Sequence, residues 1–356
     1  MSQVFRELLK KVGSGSHTSK NLTREEAKLA TRMMLLQEAT PAQIGAFMIA
    51  HRIKRPTPEE LVGMWDAYEE LGAQLRVDNL PSEFKVTIFG NPYDGRTRTA
   101  PVGTITALIL ATAGVPVIMH GGDVMPTKYG VALGEIWQGL GVDFTSLSLV
   151  EAENLLANTG LTFVYIPKHF PLANQLVPYR EQIGKRPPFA TLELIWCPYL
   201  GNIHLVSGFV HPPTEERFRA TFELKGMTNY TTVKGLEGSC DLARSRTCII
   251  GIGKGEVETG SNFERLHLHP ADYDLGGKDI PLDSKPELIS QLQDILQGKS
   301  IDLSKDAIWN GGFYLWRCGV CADLEKGLVM AEEMLAKGEV KEKLREICEK
   351  VAKSTS

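Results

Sequence analysis

Apolar residues recur along the chain at two rhythms, and the change between them falls near residue 75. Before it the spacing is helical: Ile44, Phe47, Met48 and His51 lie three or four positions apart. Three helix starts carry one signature, Thr23-Arg-Glu-Glu26, Thr40-Pro-Ala-Gln43 and Thr57-Pro-Glu-Glu60. Each sets a hydroxyl before the first turn and a Glu or Gln three residues on, and two add proline at the first helical position. Helices this short bury a face only by packing on one another or on a partner subunit.

Beyond residue 75 the order becomes strand, glycine, helix. Strands are predicted at 85–89, 115–119, 162–166, 188–195, 205–210, 230–234 and 246–250, with helices at 102–113 and 129–140 between the first three. Val- and Ile-rich strands alternating with helices predict a mostly parallel sheet covered on both faces. Residues 251–285 are polar and glycine-punctuated, which fits either an extended surface excursion or a short antiparallel ribbon. Helices are predicted again at 286–297, 305–316 and 323–350. The fold class is therefore α/β, with a small helical domain over 1–75 and a larger ligand-binding domain over 76–356.

Composition adds exclusions. Apolar residues make up 43% of the 356 and charged residues 23%, the proportions of an ordinary globular protein. The longest apolar run, 107–119, is interrupted by Thr112 and Gly114 and is too short to span a bilayer. The N-terminus enters an amphipathic pattern directly, so the expectation is a cytoplasmic protein with no membrane partner. Six cysteines form no disulfide framework, and Cys318-Gly-Val-Cys321 is read as two buried small hydrophobes in a helical stretch. Net charge is −4, yet residues 1–60 hold ten Lys/Arg against six Asp/Glu. That leaves room for a local basic face.

Candidate chemistry gathers in loops that follow strands, where ligands of such sheets collect. In Gly90–Arg98, Gly90 and Gly95 permit a tight turn, and Arg96 and Arg98 could complete a phosphate cradle. Pro92 lacks an N–H, and Asp94 suits a sugar hydroxyl or Mg²⁺ better than a bare phosphate. The same loop could simply be closed by an Asp94–arginine pair. After the second strand, His120 could donate to a phosphate, orient Asp123, or serve structure alone; Gly121, Thr127 and Lys128 follow it. Arg180 could grip a carboxylate or pair with Glu181, and His169 precedes it. Glu237 and Asp241 could hold Mg²⁺ over a diphosphate, although loop carboxylates are common by chance. A binding protein would instead use Lys10, Lys11, Arg52, Lys54 and Arg55 with Arg96, Arg98, Lys128 and Arg180 as a discontinuous cationic surface for nucleic acid.

With these loops in this order, the chain resembles the anthranilate phosphoribosyltransferase family over nearly its full length. The resemblance is carried by "LTREEA", "TPAQIGAFMIAHRIKRPTPEE", "TAGVPVIMHGGD" and "LVPYREQIG". It implies the fold of the anthranilate and nucleoside-phosphorylase type and a homodimer through the helical domain, joined by helices near 170–185. It also implies a phosphorylated small-molecule ligand, Mg²⁺, and possible pentosyl transfer. The family's diphosphate loop GTGGDG is matched by Gly90-Asn-Pro-Tyr-Asp-Gly95, and its Asn-x-Ser-Thr by Pro101-Val-Gly-Thr104, which keeps Thr104. KHGN becomes Met119-His-Gly-Gly122, the paired serines fall at Met125–Gly130, and the carboxylate-binding arginine matches Arg180. Phe170-Pro171 stands where the family has His-Pro, with His169 displaced by one. The FNxLGPLxNP segment becomes "FATLELIWCP", residues 189–198, and the magnesium Asp-Glu pair becomes Cys240-Asp241. These departures resemble a divergent branch without the standard substrate motifs. "VKGLEG", residues 233–238, is similar to segments of branch members regarded as nucleic-acid-binding.

Overall fold

A computed structural model describes residues 2–354 except 16, 79 and 257–259. Four helices come first: α1 (Gln3–Gly13), α2 (Arg24–Leu35), α3 (Pro41–Lys54) and α4 (Pro58–Leu71). Reciprocal capping boxes open α2 at Thr23, α3 at Thr40 and α4 at Thr57, as the sequence pattern predicts.

The α/β domain follows as β1 (Val86–Gly90), α5 (Gly103–Thr112), β2 (Val117–Gly121), α6 (Leu133–Gly139), α7 (Leu149–Thr159) and β3 (Leu161–Tyr165). A run of short helices comes next, α8 (Ile166–His169), α9 (Pro171–Asn174), α10 (Val177–Gln182) and α11 (Phe189–Leu192). Then come β4 (Ile203–Gly208), α12 (Pro212–Leu224), β5 (Tyr230–Val233), β6 (Cys248–Glu256) and β7 (Gly260–Leu268). The chain closes with α13 (Lys285–Leu296), α14 (Asp302–Arg317), α15 (Leu324–Ala336) and α16 (Glu339–Ser354).

The seven strands form one sheet in the order β3-β2-β1-β4-β5-β6-β7. β1 to β5 are parallel, while β6 and β7 add an antiparallel hairpin at one edge. Strand order reverses at β1, which lies between β2 and β4. The loops beyond the carboxyl ends of β1 and β4 thus diverge around a crevice.

Three expectations fail. Residues 188–195 are not a strand: α11 and turns occupy them after the Pro187-Pro188 pair, which lacks the N–H donors a ladder needs. The helix predicted at 323–350 is two helices, because Gly338 takes a left-handed conformation (φ +76) between α15 and α16. Cys318 and Cys321 are half-buried free thiols beyond the end of α14, not core residues. The ambiguous 251–285 segment holds the β6–β7 ribbon.

One apolar core lies under α5, α6 and α13–α16. The other joins the opposite sheet face to the helical bundle and α8–α12. The short helices of 170–185 contact the helical bundle: Gln175 donates to the Leu35 carbonyl and the Tyr179 hydroxyl donates to Gln37. No helix among the described residues is long and apolar enough to cross a membrane.

The basic stretch His51–Arg55 is divided by burial. His51 is in the core, and Lys54 reaches Glu60 at 2.7 Å. Glu60, fully buried, also accepts from the Leu22 and Thr57 N–H groups and lies 3.3 Å from His51. Burial alone would raise its pKa, but His51, Lys54 and Leu22 bring it down to about 2. Its stabilisation is thus fully present above the ordinary value of 4.5 and is lost as pH falls through about 2. In urea denaturation, wild type should lose about 2–3 kcal/mol between pH 5 and pH 2 that Glu60→Gln does not lose.

Candidate functional site

The loops after β1 and β2 do meet, and they are fastened together. Gly95 and Gly130 sit back to back: a Cβ on Gly95 would lie 2.5 Å from the Val131 carbonyl, and one on Gly130 would lie 2.5 Å from the Arg96 carbonyl. Backbone bonds run from Gly130 to Asp94 and from Val131 to Arg96. The far side of the same loop is clamped by residues 280–282, through Ala100 N–H to Ile280 O and Leu282 N–H to Arg98 O. Gly90 is pressed against the Leu194 carbonyl, 2.0 Å from where its Cβ would stand.

A built anion site exists in this loop, and the protein's own carboxylate sits in it. Glu237 accepts from the backbone N–H groups of Thr97 (3.2 Å), Arg98 (2.9 Å) and Thr99 (3.1 Å). The Thr97 and Thr99 hydroxyls and Lys128 Nζ, at 3.4 Å, complete the cradle. Burial opposes the charge, but these donors hold the Glu237 pKa down to about 2. Glu237 itself has a left-handed backbone (φ 54), which aims its side chain across at the loop.

Asp241 is likewise engaged. The buried Arg96 guanidinium binds it directly, and the Val102 N–H, just before α5, donates to it at 3.1 Å. Arg96 also donates to Thr99. Among the described residues no group of three or more His, Cys, Asp or Glu side chains could hold a metal ion. Glu237 and Asp241 do not fit Mg²⁺ here: a guanidinium stands on Asp241 and N–H donors surround Glu237. Only a crevice of about 30 Å³ remains between Arg96, Asp241 and the start of α5. Thr104 is buried in α5 with an unpartnered hydroxyl.

The remaining predicted residues are held by other partners. Asp94 is 1% exposed and takes a two-pronged bond from Arg186, at 2.5 and 2.6 Å, so the arginine that closes the loop is neither Arg96 nor Arg98. His120 does not reach the crevice. It is fully buried against Trp196, its Nδ1 bonds the Tyr93 hydroxyl at 2.5 Å, and burial lowers its pKa to about 3, so it is neutral. Tyr93 thus fills the space between the two loops. Gly121 ends β2 against the Phe163 ring, and Thr127 is half-buried on the loop beyond it. His169 serves structure: its Nδ1 accepts the Tyr165 N–H and its Nε2 lies 2.8 Å from the Leu147 carbonyl. Arg180 is buried but pairs with Glu193 at 2.8 Å, while Glu181 takes the Tyr129 hydroxyl instead. Burial raises the Glu193 pKa to about 7 in spite of Arg180. Sequence reasoning missed Arg186 and Glu193 as site residues. "GKRPP" offered a basic residue ahead of a rigid turn, and Glu193 showed only as a replacement within 189–198.

Between the domains lies an open cleft of about 980 Å³. Seven cationic side chains line it, four of them facing three carboxylates: Arg186 with Asp94, Arg180 with Glu193, and Lys128 and Arg98 with Glu237. Arg52 and Arg55 at the end of α3 and Arg217 on α12 have no carboxylate partner among the described residues. Burial and the nearby Arg55 lower the Arg217 pKa, the signature of like charges held together.

The helical-bundle domain of a glycosyl transferase family matches residues 6–72, and that family's a/b domain matches residues 94–341. The anthranilate phosphoribosyltransferase of Xanthobacter autotrophicus is 28% identical over 350 residues, covering 96% of this chain and 95% of that protein. That of Persephonella marina is 27% identical over 355 residues, covering 96% and 98%. Among solved structures, anthranilate phosphoribosyltransferase from Saccharomyces cerevisiae in complex with PRPP and Mg has a TM-score of 0.81 at 16% identity, with 99% of each chain covered. The Thermus thermophilus enzyme has a TM-score of 0.74 at 20% identity, with 99% of this chain and 100% of that one covered. These two structures bear on the fold.

If Arg186 neutralises Asp94 as the geometry indicates, Arg186→Ala leaves a buried carboxylate alone and should lower stability by about 2 kcal/mol. Urea titration checks this, and adding Asp94→Asn should recover at least half of the loss.

Proposed function

We propose a function from the premise that this chain belongs to the glycosyl transferase family with a helical-bundle and an a/b domain: it binds a phosphate-bearing, nucleotide-type ligand in the interdomain cleft. It does so without the metal-assisted departure of diphosphate by which a phosphoribosyltransferase transfers its pentose. The observation that carries this reading is the contrast between two sets of cations. Arg96, Lys128 and Arg186 are paired with carboxylates of the chain around the loop after β1, whereas Arg52 and Arg55 are exposed and Arg217 is half-buried on the cleft with no carboxylate partner among the described residues. Transfer chemistry requires donors aimed at the charge that develops on the leaving group. Here the backbone donors of residues 97–99 hold Glu237, and Arg96 holds Asp241. Arg180, matched to the acceptor-binding arginine, holds Glu193 in place of a substrate carboxylate.

Mg²⁺ and PRPP are named with the yeast relative. In this chain a metal could bind the Asp241 region only after Arg96 moved away. Arg96 therefore supplies, as a fixed guanidinium, the positive charge that a metal would bring.

A second reading, extended single-stranded nucleic acid in the same cleft, is favoured by its openness and by arginines contributed from both domains. A homodimer through the helical domain belongs to either reading. Val4 and Leu29 are exposed on that domain, at 54% and 40%, and would be covered in it. Sedimentation velocity should then give twice the chain mass of 39.3 kDa.

Calorimetric titration tests the proposal. Phosphoribosyl diphosphate should bind equally with Mg²⁺ or with EDTA, and Arg52→Ala/Arg55→Ala/Arg217→Ala should weaken it about tenfold or more. Tighter, steeply salt-dependent binding of short single-stranded DNA would select the second reading. Formation of a phosphoribosylated product from phosphoribosyl diphosphate and anthranilate with Mg²⁺ would overturn both.

A further inference from the structure

At the opposite end of the sheet, away from the interdomain cleft, the amino ends of β1, β4 and β5 meet the far end of β6 and the end of α14. They enclose a pocket of about 560 Å³, within the size range of small-molecule sites. Its charged residues are Lys85, Lys254 and Arg317 against a single carboxylate, Glu83, which leaves two net positive charges. None of the three cations has an ion-pair partner among the described residues. Arg317 is half-buried on α14, and one guanidinium nitrogen donates weakly to Thr231 Oγ1 at 3.3 Å. Its Nε is sealed from solvent with no partner at all. Burial lowers the pKa of both Arg317 and Lys85, a cost that a bound anion would remove.

The floor of the pocket is neutral. His204 lies on β4 with Nε2 2.8 Å from Thr231 Oγ1, and burial brings its pKa to about 3. Cys318 stands 3.8 Å from its Nδ1 and 3.3 Å from Thr87 Oγ1, its thiol pKa pushed up to about 11 by burial. Neither competes for an anion. The walls add two flat apolar surfaces, Phe84 and Trp316.

We propose that this pocket is a second ligand site, which takes a small phosphate monoester carrying a planar ring. The dianionic phosphate matches the two uncompensated charges, with Arg317 offering its fork and Lys85 and Lys254 point charges. The ring lies against Trp316 and Phe84. The site shares no residue with the interdomain cleft, so it stands or falls independently of the function proposed there.

Tryptophan fluorescence reads this pocket selectively. Trp65, Trp137, Trp196 and Trp309 are at most 1% exposed, whereas Trp316 is half-open and within reach of acrylamide. Phenyl phosphate and adenosine monophosphate should each protect Trp316 from quenching, and Trp316→Phe should abolish the signal. Inorganic phosphate and benzoate should protect far less. Arg317→Gln and the exposed-strand variant Lys254→Ala should each weaken protection by phenyl phosphate about tenfold. Lys254→Ala touches no buried group, so it keeps the test open even if Arg317→Gln folds poorly. Absence of protection in wild type, equal protection by benzoate or inorganic phosphate, or protection unchanged in Lys254→Ala would overturn the assignment.

Discussion

The carboxylate of Glu237, held by three consecutive backbone N–H groups after β1, is the contact around which the rest of this site is arranged. A turn that presents converging N–H donors is an anion site by geometry, whatever anion fills it. Here the anion is covalently part of the chain, so its effective concentration is set by the fold and a free phosphate must displace it. Arg96 and Asp241 repeat the pattern one layer deeper, a buried cation and anion that satisfy each other. Loss of either partner would leave an uncompensated charge out of water, which is costlier than the pair itself.

The same substitution of internal for external partners recurs across the crevice. Arg186 binds Asp94, Glu193 binds Arg180, and Tyr93 closes on His120. The parallel sheet still places these loops beyond the carboxyl ends of its strands, where its topology favours ligands. The architecture of the family is retained, and cations without a carboxylate partner among the described residues lie outside the closed loops. Arg52 and Arg55 from the helical bundle and Arg217 from α12 face one another across the cleft, so any ligand there would bridge the two domains.

The fold was legible because its signals are local. Capping boxes at Thr23, Thr40 and Thr57 and apolar runs at β1, β2 and β3 each depend on a few neighbouring residues. Failures occurred where local signals misled: the apolar run at 188–195 opens on the second of two prolines and turns, and Gly338 divides what reads as one amphipathic helix. The site was legible only as a list of loops. Gly90, Asp94, Gly95, Arg96, Arg98, Lys128, Glu237 and Asp241 do come together, but their partners do not follow from spacing. Glu237 lies about 140 positions from the amides it binds, and Arg186 lies 92 from Asp94. A sequence shows that a carboxylate and an arginine are present in loops; it does not show that they neutralise each other. His120 and His169 were misjudged for a related reason, since burial and a single fixed partner make a histidine neutral and structural.

The backbone amides of Thr97, Arg98 and Thr99 report on the central contact directly. In two-dimensional nitrogen–proton spectra of the labelled protein, titration with phosphoribosyl diphosphate and Mg²⁺ should leave these three resonances in place while those of Arg52, Arg55 and Arg217 shift. Movement of the three loop amides with ligand, in step with release of Glu237, would contradict the account and return the diphosphate to the loop after β1.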